Sequence, residues 1–125
     1  MRRILVSALF VILAGCTALG QQKPATPEDN LRYSQAVLTG IYTTLGNSAS
    51  TGTLPAADAR RYFNRLEEPS RDLAAADGTL RATGGTLPPD AIGRVNLAVS
   101  VLTAIASELR SRLPAAQTAS LPAPR

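Results

Sequence analysis

Between residues 92 and 113 the apolar side chains recur at a spacing that one kind of fold can use. Ile92, Val95, Val99, Leu102, Ala106, Leu109 and Leu113 stand 3, 4, 3, 4, 3 and 4 residues apart, which aligns them as one seam along an α-helix. A half-buried strand would need strict alternation, and this segment has none. Arg94, Ser100, Thr103, Ser107, Arg110 and Ser111 take the other side, while Val101 and Ile105 widen the apolar face. A face that broad suits packing against two helices at once. Either the same chain supplies both, or the seam serves a second chain.

The preceding residues supply two. Thr26-Pro27-Glu28-Asp29 reads as a helix start: threonine can cap, proline fits the first turn, and the carboxylates favour the positive end of the helix dipole. Leu31, Leu38, Ile41, Tyr42 and Leu45 follow at helical spacing with Val37 beside them. Gly46-Asn47 offers a stop, so the first helix is expected over 27–46. A second runs from Pro55 through Ala59, Tyr62, Phe63, Leu66, Leu73 and Leu80. Pro69 interrupts it, but the apolar phase carries across, so one kinked helix over 55–81 is expected rather than two. The third is expected over 89–113. With Gly-containing turns between them, the fold class is all-α, a small antiparallel three-helix bundle in up-down-up order occupying 26–113. Helix 1 has enough Leu, Ile and Val to cover the groove between the other two, which favours a closed, monomeric bundle over an open hairpin that would use the seam for a partner.

Gly52-Thr53-Leu54-Pro55 and Gly85-Thr86-Leu87-Pro88 repeat one turn 33 residues apart, each leading into a helix. Leu54 and Leu87 are placed to fold back as hydrophobic staples. After Pro114 the chain is rich in Ala, Pro and Ser without hydrophobic phase, so residues 114–125 are expected to be disordered.

The amino-terminal residues carry a different message. Arg2 and Arg3 are basic, Ile4 to Leu13 are almost wholly apolar, and Leu13-Ala14-Gly15-Cys16 closes the run with small residues. The run is about half the ~20 residues needed to cross a bilayer, so it reads as a signal segment rather than an anchor. Leu13-Ala14-Gly15-Cys16 resembles the lipobox of bacterial lipoproteins. That resemblance implies a signal peptide of residues 1–15, cleavage between Gly15 and Cys16, a diacylglycerol on the Cys16 thiol, usually a further acyl chain on the new terminus, and residues 16–25 as lipidated cysteine and flexible tether. Thr17 follows the cysteine where aspartate would favour inner-membrane retention in enteric-type bacteria. The resemblance therefore implies the outer membrane, facing the periplasm, with the bilayer itself as a partner through acylated Cys16. Arg2-Arg3 lacks the flanking pattern of a twin-arginine signal.

Processing at Cys16 leaves 110 of the 125 residues, enough for one modest core. Arg2 and Arg3 go with the signal, so 11 basic side chains face 9 acidic ones, a net of +2. Cys16 is the single cysteine, which rules out an internal disulfide.

The chain has no histidine, hence no imidazole base and no Ser-His or Cys-His nucleophile, and no common zinc site. Lys23, the one lysine, sits in the tether. Glu67 and Glu68 are adjacent on a helix and diverge. No phosphate-binding glycine loop follows a strand. No catalytic residue, metal or other cofactor is expected, and the scattered arginines without stacking aromatics argue against nucleic acid. The expected function is that of a non-enzymatic envelope lipoprotein with a helical interaction or structural domain. Arg60, Arg61 and Arg65, with Arg71 and Arg81 on the same helix, form a candidate partner surface, although Glu67, Glu68 and Asp72 are spaced to pair with them. The competing class is a phage lysis-cassette lipoprotein: outer-membrane spanin subunits are similar in size, lipobox and proline-bearing tail, but usually richer in proline and less helical.

Overall fold

Thr26 opens the first helix as its side chain accepts from the Asp29 amide at 3.1 Å and the Asp29 carboxylate accepts from the Thr26 amide at 3.4 Å, a reciprocal cap behind Pro27. The structure, a computed structural model, describes residues 26–123. Gly15, Cys16 and the expected tether over 16–25 lie outside the described residues.

Three helices follow: α1 (Pro27–Ser50), α2 (Ala56–Ala82) and α3 (Pro89–Arg112). Each packs against both others, giving the all-α three-helix bundle. The start of α1 and the α2–α3 turn share one end, and the α1–α2 turn and the end of α3 share the other. α2 runs unbroken through Pro69, which is itself buried. The proline has no amide to donate to the Arg65 carbonyl, so α2 persists on packing rather than on propensity.

The repeated turn works as expected. Leu54 and Leu87 are buried, and Pro55 and Pro88 take the N-cap positions of α2 and α3 with no side-chain cap. Gly52 (φ +75°) and Gly85 (φ +115°) supply the left-handed backbone in the two copies, a region that side chains with a Cβ enter only at a cost.

Four expectations are corrected. α1 does not stop at Gly46-Asn47 but continues to Ser50. A glycine within a helix costs only about 1 kcal/mol. The added turn buries Ser48, whose carbonyl accepts the Leu54 amide at 3.1 Å.

The innermost line of α3 is also not the expected one. It runs Ala91, Val95, Ala98, Leu102, Ile105 and Leu109, at spacings of 4, 3, 4, 3 and 4; of the expected seam Ala106 and Leu113 are buried as well, while Ile92 and Val99 are only partly buried. Alanines at the centre let the backbones approach, and the larger Ile92 and Val99 flank the contact. Tyr42 was expected inward on α1 and is exposed, stacked on Phe63 of α2 at 5.8 Å between ring centroids.

The last correction concerns the tail. Residues 114–123 were expected to be disordered and instead form a strap along α1, with Leu121 only 7% exposed. Gln117 lies by Ser48, Ser120 by Thr44, and the Ala123 carbonyl by the Tyr33 hydroxyl. The strap thus runs antiparallel to α1. Composition suggested a chain unable to bury enough apolar surface, but one leucine and a row of hydrogen bonds to small α1 side chains suffice.

Candidate functional site

Cys16 and Gly15, the expected lipidation and cleavage positions, lie outside the described residues. Spacing along α2 decides what the arginine face can do. Arg61 and Arg65 lie four residues apart and share a side; Arg60 is turned about 100° from Arg61 by the helical repeat. All three are exposed.

Arg65 is already engaged. Its guanidinium donates to both carboxylate oxygens of Glu108 on α3, at 2.6 and 3.4 Å, and stands 5.5 Å from the centre of the Tyr62 ring. Arg112, near the end of α3, donates to the Tyr62 hydroxyl at 3.1 Å and to Asp58 at 2.9 Å, with its guanidinium 5.8 Å from the same ring. Arg61 adds a looser contact to Asp58 at 3.4 Å. Tyr62 is the hub: the residue is buried, its hydroxyl accepts from Arg112, and two guanidinium groups stand within about 6 Å of its ring.

The electrostatics follow from these contacts. The hydrogen bond from Arg65, helped by its positive charge and by Tyr62 and Arg112, holds the Glu108 carboxyl below its ordinary value against a smaller opposing effect of burial. Glu108 in turn raises the proton affinity of Arg65, again chiefly through the hydrogen bond. Arg112 is raised first by the Tyr62 hydroxyl and then by Asp58. Every charge here has an opposite partner. The cluster clasps α2 to α3 and leaves Arg60, exposed and without an ion pair among the described residues, as the most available cation of the expected three.

Further along the same seam, Pro69 and Ala98 floor a shallow groove of about 230 Å³ with Leu97 and Val101 on one wall and Arg65, Glu68 and Asp72 on the other. Leu97 is 58% exposed. Sequence reading passed over Leu97 because it falls outside the heptad seam; its signal was a leucine on the polar side of the helix. By length and composition alone α3 could cross a membrane, with a mean hydropathy of 1.3 over its most apolar 18 residues. In the bundle Leu102 and Leu109 are buried between the helices, while Leu97 stays exposed.

Among the described residues no three of His, Cys, Asp and Glu converge as a metal-binding group. Glu67 pairs with Arg71 at 3.0 Å on an open face. No known protein family, no characterised protein and no solved structure matches the chain.

Proposed function

We propose that the chain is a lipid-anchored protein of the bacterial envelope, held on the periplasmic face of the outer membrane, whose helical bundle acts as a non-enzymatic interaction or structural domain. The observation that carries this reading is Leu13-Ala14-Gly15-Cys16 placed directly after Arg2-Arg3 and the apolar run from Ile4. Basic residues, apolar run and lipobox stand in the order that lipoprotein processing requires. Each buried CH2 of an acyl chain contributes about 0.8 kcal/mol, so the two or three chains of a processed lipoprotein anchor it stably.

The position of the bundle supports the reading. Thr26 is ten residues past Cys16, and a chain advances at most ~3.6 Å per residue, which keeps the start of α1 within about 36 Å of the anchored cysteine. The expected partner is therefore another envelope component within reach of the membrane surface, met through the exposed sides of α2 and α3.

Replacing the cysteine tests the anchor. Cys16→Ser should accumulate as a full-length precursor without lipid, and the wild type should incorporate labelled fatty acid and accumulate as precursor under globomycin. A Cys16→Ser chain that matures and fractionates like the wild type would sink the proposal.

A further inference from the structure

The groove that holds residues 114–123 is shaped for main chain. A Cβ on Gly40 would lie 2.6 Å from the Ser120 carbonyl oxygen, 3.2 Å from Pro122 Cδ and 3.3 Å from Leu121 Cα, so a side chain at residue 40 and a seated strap exclude one another. Around that point the holds are specific and uncharged on the strap side. The Gln117 amide nitrogen donates to Thr53 at 2.8 Å and Thr51 at 3.3 Å while its oxygen accepts from Ser48 at 3.0 Å. Ser120 meets Thr44 at 3.1 Å, Arg110 donates to the Pro122 carbonyl, and Leu121 enters the core. The groove thus reads a glutamine followed, three residues on, by Ser-Leu-Pro.

The strap is also a separable unit. Its backbone hydrogen bonds run within itself, from the amides of Gln117, Thr118 and Leu121 to the carbonyls of Pro114, Ala115 and Thr118. It can leave without breaking a helix hydrogen bond. It joins α3 at Leu113-Pro114.

We propose that this groove is a peptide-binding site that accepts, in trans, residues 114–123 of a second copy of this chain, so that neighbouring copies are linked by exchanged straps. Exchange replaces each contact by the same contact made between copies, so the balance is governed by local concentration and by strain in the connection. In dilute solution the tethered strap wins. Confinement to a membrane surface favours the exchanged form; that step rests on the lipid anchoring proposed above, whereas the groove itself does not.

Two full-length variants decide the matter in detergent solution, independently of anchoring. Gly40→Val blocks the groove and leaves the strap intact, since the three atoms nearest a Cβ at residue 40 all belong to the strap. Leu121→Asp leaves the groove intact and spoils the strap. Each alone should be a folded monomer by circular dichroism and native mass spectrometry, with residues 114–123 newly open to protease. An equimolar mixture at tens of micromolar should give a 1:1 complex, and a synthetic peptide of residues 114–125 should bind Leu121→Asp at least tenfold more tightly than Gly40→Val. If valine lowers helicity, Gly40→Ala replaces it as the strap donor, since its single methyl already meets the Ser120 carbonyl. A mixture that stays monomeric overturns the exchange, even if the peptide binds. A Gly40→Val chain that pairs with itself, or straps that stay protected in both variants, overturn it as well.

Discussion

Along its seam with α2, α3 is clasped by charge at the surface, Arg65 to Glu108 and Arg112 to Asp58 and Tyr62, whereas among the described residues no ion pair joins it to α1, and there the closure comes from small side chains and an overlying strap. The clasp tolerates variation, because an exposed ion pair works at a range of geometries and each is worth about 0.2–1 kcal/mol. The strap does not, because it depends on the absence of a side chain at Gly40. Charge holds the bundle loosely in many ways; close approach holds it in one.

The hardest test of both seams is Leu102→Asp. Leu102 is 1% exposed on the innermost line of α3, and a carboxylate there would be buried without a partner at a cost of several kcal/mol. Helicity should collapse in a thermal melt. A folded, monomeric variant would show that this side of α3 is not a core.

Next in size is the strap alone. Leu121→Ala should cost about 2 kcal/mol, the low end for a buried leucine. Far-UV helicity should persist while limited proteolysis begins to cut after residue 113. Cleavage no faster than in the wild type would mean that the polar holds suffice without the leucine.

A pair of glycine substitutions sharpens the contrast further. Gly40 and Gly46 both lie within α1, and alanine at either adds up to ~1 kcal/mol of helix propensity. At Gly46 a Cβ meets nothing within 4 Å, so Gly46→Ala should raise the melting temperature. At Gly40 the same methyl meets the Ser120 carbonyl, so Gly40→Ala should lower it or leave a gain smaller than at Gly46, with the strap exposed. Equal gains at both positions would contradict a seated strap.

The smallest effect belongs to the clasp and has a definite sign. The carboxyl of Glu108 is lower in the folded chain than when free, so its contribution is present above the ordinary carboxylate range and is lost as pH falls through the depressed value. Wild type should melt slightly higher than Glu108→Gln at neutral pH, by less than about 1 kcal/mol because the pair is exposed. The difference should shrink on acidification. A gap that grew in acid would reverse the assigned direction.

How much of this was legible beforehand depends on where the determining atoms lie. The three helices, the passage of α2 through Pro69, the Thr26 cap and the Leu54 and Leu87 staples were readable because each is set by residues within a few positions of one another. The arginines of α2 were readable as a charged face, but not their partners: Arg65 meets Glu108, 43 residues on, and nothing in the spacing of α2 selects it.

The sequence by itself determined that the chain forms three amphipathic helices joined by repeated Gly-Thr-Leu-Pro turns, since helical periodicity, capping and left-handed glycine are local properties of the backbone. Tertiary structure alone decided that Ala91 and Ala98, not the larger Ile92 and Val99, lie innermost on α3, because size sets how near two backbones can come only once both are present. It decided in the same way that residues 114–123, a stretch without hydrophobic phase, pack along α1. Gly40 and Ser120 are 80 positions apart, and their fit is a matter of steric complementarity across space, which no pattern of neighbouring residues encodes.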